Sequence, residues 1–229
     1  MLRFKAVLFD LDGTLADTAP DLGRALNMQR QRHGLPPLAD DVIRPFASHG
    51  TRGLLGVGFG LLPSDSAFES MREEYLVLYD EVFCQYPRLF DGMAAVLETF
   101  ESQNVLWGVV TNKPRRFTQP LMEALGLSSR AASIVSADDC ERPKPYPDTL
   151  LLASRQANVT PLECLYVGDA ERDIIAAKAA GMEAWVANYG YLSEDDKPEE
   201  WGAQDMIASP VDLIERLFDQ RIGTLSLVR

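Results

Sequence analysis

The sequence predicts an α/β protein built on a doubly wound parallel sheet, and three observations carry that prediction. A short continuous apolar run, Ala6-Val7-Leu8-Phe9, stops at Asp10-Leu11-Asp12-Gly13, as a strand buried on both faces of a parallel sheet stops where it reaches a loop. Beyond residue 90, apolar runs of strand length alternate with stretches of helical periodicity, the pattern of repeated βαβ units. Several of these runs end in polar residues that carry chemistry, and in open α/β sheets ligands bind in the crevice outside the carboxyl ends of the strands.

The elements follow in chain order. Residues 6–9 form the first strand. Residues 17–86 contain no convincing strand; Phe68, Met71, Tyr75, Leu78, Tyr79 and Val82 recur at helical spacing, which reads as a bundle core and not a cofactor box. Gly34 follows an amphipathic stretch containing Leu22, Ala25 and Leu26 and precedes Pro36-Pro37, the signature of a helix C-terminus. The run Gly56-Val57-Gly58-Phe59-Gly60 permits close packing or marks a flexible, irregular segment. A helix is expected near 92–103, then a strand at 105–110 (Leu106-Trp107-Gly108-Val109-Val110) and a helix at 114–125 opened by Pro114. Strand 133–136 holds Ile134-Val135; helix 147–157, strand 164–168, helix 171–180, strand 183–187 and a helix near 210–220 complete the pattern. Residues 223–229 read as a disordered tail.

Composition limits the function. At 229 residues and 46% hydrophobic content, the chain can build one full core plus a small subdomain. The net charge of −12 and isoelectric point near 4.6 oppose nucleic acid or an anionic membrane as the main partner. No apolar run approaches membrane-spanning length and none near the first residues resembles a signal peptide. Three scattered cysteines suit a reducing compartment. The expected setting is the cytoplasm, as a monomer or homodimer. Lys113, Arg115, Arg116, Arg142 and Lys144 fall in or beside two strand-end loops and supply a local positive field, whereas Glu194-Asp195-Asp196 and Glu199-Glu200 read as a solvated loop.

Asp10 and Asp12 are two positions apart at a strand end, where alternation gives both side chains the same sense; two like charges then lie close together unless a cation or a proton intervenes. A calcium loop is excluded, because its sixth and twelfth positions hold Leu15 and Asp21. Arg32-His33-Gly34 spells a histidine-phosphatase triplet but follows a helical stretch. The sixth residues after Cys84, Cys140 and Cys164 are Phe90, Tyr146 and Ala170, so no Cys-x5-Arg nucleophile exists. Neither a phosphate-binding Gly-x4-Gly-Lys loop nor a dinucleotide fingerprint after a strand is present. Pro143 and Pro145 bracket Lys144 and restrict its backbone, and Thr111-Asn112 ends a buried strand just before a helix start, where backbone N–H groups favour anions.

The four segments Asp10-Leu11-Asp12-Gly13, Thr111-Asn112, Arg142-Pro143-Lys144-Pro145 and Gly168-Asp169 with Asp173 together resemble the four motifs of the haloacid dehalogenase superfamily over roughly residues 4 to 190. The resemblance implies a Rossmann-like core from 1–16 and 87–222 with an inserted helical cap at 17–86. It implies a nucleophile at Asp10, a general acid/base at Asp12 and phosphate contacts from Thr111, Asn112 and Lys144. It also implies Mg2+ held by Asp10, the Asp12 backbone carbonyl, Asp169 and, through water, Asp173; a hard cation with oxygen ligands suits such a set. Asp12 argues for phosphoryl transfer over dehalogenation, and the absence of lysine from 17–86 removes a Schiff-base mechanism. The expected reaction is hydrolysis of a small phosphate ester, ahead of sugar-phosphate mutation and of a non-catalytic phosphate-binding module.

Within the superfamily, the chain looks like the phosphoglycolate phosphatase group. The stretch 106–114, Tyr189-Gly190-Tyr191 and Trp201-Gly202-Ala203 are similar to the branch acting on N-acetylmuramic acid 6-phosphate in cell-wall recycling, which becomes the first expected substrate, ahead of phosphoglycolate. His49, Gly50 and Arg52 occupy the place of a cap specificity loop. A basic rim of Arg52, Arg115 and Arg116 is expected to meet a substrate carboxylate. Gly50, Gly53, Gly56, Gly58 and Gly60 are expected to leave room for a sugar.

Overall fold

The computed structural model describes residues 3–218. Six strands, β1 (Ala6–Phe9), β2 (Leu106–Val110), β3 (Ser133–Val135), β4 (Cys164–Gly168), β5 (Glu183–Ala187) and β6 (Asp205–Ile207), pair in parallel in the order β3-β2-β1-β4-β5-β6. The doubly wound architecture is therefore the predicted one. Strand β1 lies at the centre with Ala6 opposite both Leu106 and Cys164. The order reverses beside it, at the β1/β4 junction, and such a junction opens a crevice at the carboxyl ends of the strands.

The apolar runs are continuous because both faces of the sheet are covered. On one face Val7, Phe9, Trp107, Val109, Leu165 and Val167 pack with α5 (Met93–Ser102), α6 (Arg115–Ala124) and α9 (Asp212–Phe218). On the other, Ala6, Leu8, Val110 and Tyr166 pack with α7 (Asp148–Gln156) and α8 (Glu171–Ala180). Sequence reading missed β6. Its three residues include a half-buried aspartate, and only Ile207 is fully buried, so no apolar run announces an edge strand. The final helix is described over Asp212–Phe218, with 210–211 in a turn before it; residues 219–220 and the 223–229 tail lie outside the described residues.

Between β1 and α5 the chain forms α1 (Ala19–Arg32), α2 (Asp40–Ile43), a 3-10 turn at Arg44–His49, α3 (Gly50–Phe59) and α4 (Phe68–Val82). Leu22 and Leu26 of α1, Leu54 and Leu55 of α3, and Phe68, Tyr75, Leu78, Tyr79 and Val82 of α4 build a third cluster, which also takes in Phe117 and Tyr191. Gly34 follows α1 with φ +72°, as read from sequence. Two connections join these helices to the sheet side by side: Ala16 bridges Leu89, and the Asp17 N–H donates to the Arg88 carbonyl at 2.9 Å. No helix among the described residues is long and apolar enough to cross a membrane.

The glycine-rich run is helical and not irregular, because Leu54 and Leu55 anchor α3 and Gly60 ends it in the left-handed region. Gly58 faces α1 so closely that a Cβ would lie 2.6 Å from Leu26 Cδ1, whereas a Cβ on Gly56 meets only the Leu61 carbonyl at 3.8 Å. Gly58→Val therefore overpacks the α1–α3 contact and is expected to cost about 1–3 kcal/mol. Gly56→Ala, free of any clash, is expected to gain about 0.5–1 kcal/mol from helix propensity. Urea midpoints of the two variants check this, and equal effects would refute the packing assignment of Gly58.

Candidate active site

The carboxyl ends of β1, β2 and β4 deliver Asp10, Thr111 and Asp169 into one crevice, and the first turn of α8 adds Asp173. Asp10, Asp169 and Asp173 are buried, with one carboxylate oxygen from each lying within 4.8 Å of the others. Gly13 makes the approach possible. With φ +87° it turns the loop, and a Cβ there would collide with the Asp169 carboxylate and the Ser48 hydroxyl.

Lys144 supplies the balancing charge. Its ammonium is wholly buried, 2.9 Å from Asp10 Oδ1 and 2.7 Å from Asp173 Oδ1, and donates to the Val110 carbonyl at 2.9 Å and the Tyr166 hydroxyl at 2.8 Å. Asn112 fixes the lysine's main chain from both sides, its amide donating to the Lys144 carbonyl at 2.8 Å and accepting the Lys144 N–H at 3.0 Å. The Asn112 side chain is thus spent on Lys144. Thr111 Oγ1 accepts the Lys113 N–H at 3.1 Å, which turns the loop.

One lysine does not neutralise three carboxylates. Burial raises the Asp10 carboxyl; Asp173 adds to the effect, while Lys144 and Arg172 oppose it. Burial together with Asp10 and Asp173 pushes Asp169 up to about 7, although Thr14 Oγ1 (3.2 Å), Ser48 Oγ and the Tyr191 N–H (2.9 Å) all donate to it. An oxygen-only cluster short of positive charge fits a hard divalent cation. Asp10, Asp169 and Asp173 would hold it.

Asp12 is placed differently from the expected like-charge pair with Asp10. Its Oδ1 accepts from Thr18 Oγ1 at 2.5 Å and from Lys113 Nζ at 3.0 Å, so its electrostatic partner is a cation. The crowding foreseen for Asp10 and Asp12 falls instead on Asp10, Asp169 and Asp173, which are far apart in sequence.

Above these residues lies a cavity of about 660 Å³, bounded below by Asp10, Asp12, Thr111, Asn112, Lys113 and Lys144 and above by residues of the helical segment. His49, Gly50 and Arg52 line it, together with Arg72, Tyr75 and Leu76. Burial and the nearby Arg172 and Arg52 hold the His49 imidazole below its usual range, against Asp196. Two expectations are corrected here. Arg115 and Arg116 are not on the rim: Arg115 is engaged with Asp139, and Arg116 stacks on Phe117 with Asp80 at 3.9 Å. The cationic lining is Arg52, Arg72 and Arg172 with Lys113 and Lys144 at the base. Of the five glycines only Gly50 borders the cavity; Gly53 lies against His49 and Phe46, and Gly58 against Leu26.

Sequence reading missed several contributors. Arg172 stands 3.8 Å from Asp10 Oδ2 and donates to the Ser48 carbonyl at 2.7 Å; its place between Asp169 and Asp173 in sequence could have flagged it. Ser48, Arg72 and Tyr79 come from a region without a local motif, and nothing in their spacing points to the crevice.

Known proteins resemble this chain along nearly its whole length. The haloacid dehalogenase-like hydrolase family matches residues 7–187. An N-acetylmuramic acid 6-phosphate phosphatase of Pseudomonas putida is 41% identical over 212 residues, covering 93% of this chain and 95% of the relative. A phosphoglycolate phosphatase of Xanthomonas campestris is 40% identical over 215 residues, covering 93% of this chain and 97% of the relative. The crystal structure of a haloacid dehalogenase superfamily hydrolase, subfamily IA variant 1, from Geobacter sulfurreducens shares the fold with a TM-score of 0.71 at 24% identity, over 94% of this chain and 97% of that one.

The raised Asp169 has a consequence for stability. Its carboxyl titrates near 3.8 when unfolded and about 7 when folded, so the folded state binds the proton more tightly. That contribution is present below about pH 4 and is lost as pH rises through about 7. In chelator, wild type is expected to lose several kcal/mol relative to Asp169→Asn between pH 4 and 7.5, and magnesium is expected to flatten the trend. Urea denaturation across pH measures it; a pH-independent difference between the two proteins would refute the charge imbalance.

Proposed function

The chain belongs to the haloacid dehalogenase-like hydrolases, and on that premise we propose that it is a magnesium-dependent phosphomonoesterase working through an aspartyl-phosphate on Asp10. The observation that carries this reading is the buried Asp10–Lys144–Asp173 arrangement, with Asp169 beside it, at the floor of a cavity roofed by helices. A pure binding site has no use for a buried carboxylate where an anion must sit; a nucleophile does.

In the proposed reaction a carboxylate oxygen of Asp10 attacks phosphorus while the ester P–O bond breaks and Asp12 gives its proton to the departing oxygen. Water then attacks phosphorus, Asp12 takes a proton from it, and the P–O bond to Asp10 breaks, releasing inorganic phosphate and restoring both aspartates. Lys144 balances Asp10 between the two steps, and Thr111, with the backbone of Asn112, faces the phosphoryl oxygens. A cation bound by Asp10, Asp169, Asp173 and the Asp12 carbonyl supplies charge that lets a phosphate dianion approach this floor. The helical segment 17–86 acts as the cap that excludes water and reads the rest of the substrate.

Relatives of both names align at near-equal identity, so the cavity has to separate the substrates. A volume of about 660 Å³ exceeds what a two-carbon acid fills. Its cap wall combines Arg52 and Arg72 with Leu22, Tyr75 and Leu76, and Phe117 of α6 adds a further apolar surface, which suits a sugar phosphate carrying a carboxylate and an apolar substituent. N-acetylmuramic acid 6-phosphate has both, and it is the substrate we assign.

Asp10→Asn and excess chelator are each expected to abolish phosphate release, with magnesium restoring the chelated enzyme. Intact mass after acid quench should find phosphate on Asp10 alone, and its appearance on another residue would end this mechanism. For the substrate, kcat/KM with magnesium is expected to be highest for N-acetylmuramic acid 6-phosphate, then phosphoglycolate, then a hexose phosphate. Arg52→Ala should lower the first of these at least tenfold while barely changing p-nitrophenyl phosphate. A phosphoglycolate value tenfold above the muramate would reverse the assignment.

A further inference from the structure

Lys113 is an unusual lysine. Its side chain is only 6% exposed, yet it is not the lysine that neutralises the carboxylate cluster. The ammonium is shared between two oxygens at 3.0 Å: Asp12 Oδ1 on the core side and the Tyr79 hydroxyl on the cap side. It also lies 5.0 Å from the centroid of the Tyr79 ring, at cation–π distance. Tyr79 is itself locked, with Phe117 of α6 at 5.0 Å and Phe83 at 5.4 Å between ring centroids. The lysine backbone is pinned as well: its N–H is held by Thr111 Oγ1, and its carbonyl accepts from Thr118 Oγ1 at 3.1 Å and the Ala137 N–H at 3.2 Å.

The consequence falls on Asp12. Thr18 Oγ1 and Lys113 Nζ both bind the same carboxylate oxygen, Oδ1, and Oδ2 has no partner among the described residues. Donors on Oδ1 disfavour a proton there and leave Oδ2 as the oxygen that carries and transfers it. Two hydrogen bonds from different directions also stop the carboxyl from rotating about its last bond. Both donors depend on the helical segment: Thr18 directly precedes α1, and Lys113 is held by Tyr79 of α4.

We propose that Lys113, anchored by Tyr79, is a positioning residue that aims Asp12 Oδ2 at the departing ester oxygen, so that proton donation is competent only when α4 lies against the core. This rests on the proton-transfer role given to Asp12 above. The step itself is unchanged: Asp12 Oδ2–H breaks, the leaving-group O–H forms, and the P–O electron pair departs with that oxygen.

Leaving-group dependence tests it. An alkyl phosphate needs a proton on its leaving oxygen, whereas p-nitrophenyl phosphate departs as a stable phenolate without one, and kcat/KM reports the first chemical step for both. With the alkyl ester of the substrate panel that wild type turns over fastest, Lys113→Met is expected to lower kcat/KM about 100-fold, against less than fivefold for p-nitrophenyl phosphate. Tyr79→Phe, which removes one hydroxyl and keeps the packing, should show the same selectivity at about five- to tenfold, and it decides the matter if Lys113→Met does not fold. Asp12→Asn is the control. If it shows no leaving-group selectivity, the acid role of Asp12 fails; if it shows selectivity while Lys113→Met and Tyr79→Phe slow both substrates equally, or neither, the positioning role is overturned and the acid role stands.

Discussion

Three buried carboxylates sharing one crevice are the constraint on which the rest of the structure depends. Removing Asp10, Asp169 and Asp173 from water is costly, and breaking up a buried charge network by deleting one partner typically costs about 3–5 kcal/mol. The molecule answers with Lys144, placed between Asp10 and Asp173, with the Val110 carbonyl and the Tyr166 hydroxyl also within hydrogen-bond distance of its ammonium. The answer is incomplete by design of charge: Asp169 still rises to about 7. That residual imbalance is what a hard cation held by Asp10, Asp169 and Asp173 would relieve. Parallel strand order makes the arrangement possible, because β1 and β4 are neighbours at the reversal point and end at the same level.

The helical segment is tied to this charge centre by polar contacts as well as by apolar packing. Ser48 donates to Asp169 and Arg172 donates back to the Ser48 carbonyl. Lower down, Asp17 is gripped by Arg44, Arg88 and the Tyr191 hydroxyl. Burial alone would raise its carboxyl, but the Tyr191 hydrogen bond and the two arginines hold it below the usual range. Tyr191 also accepts the Thr18 and Ala19 N–H groups, so one hydroxyl joins the loop after β5, the connection and the start of α1. The helices are therefore joined directly to Asp12 through Thr18 and to Asp169 through Ser48.

The cavity's floor and wall divide along the same line. The floor residues Asp10, Thr111 and Lys144 come from strand ends and strand-end loops, where Val167 and Val135 hold the first two by their backbone N–H groups and Asn112 holds the third. The wall residues Arg52 and Arg72 come from α3 and α4, whose exposed turns can change without disturbing the sheet.

By itself the sequence determined five of the six strands, the helical periodicity of α4 and the residues of the floor. These are legible because strand ends and their loops are local: an apolar run, a turn and a carboxylate sit within a few residues, so Asp10, Thr111, Lys144 and Asp169 could be read in place. Only tertiary structure decided which charges meet. Asp12 pairs with Lys113, 101 residues away, and not with its neighbour Asp10; Arg115 and Arg116 turn from the cavity to Asp139 and Asp80; Arg72, Ser48 and Tyr79 arrive from helices with no motif. The edge strand β6 likewise became a strand only because β5 offered its open side. Coulomb interactions act through space between elements whose docking is set by apolar packing, and no spacing along the chain encodes that distance.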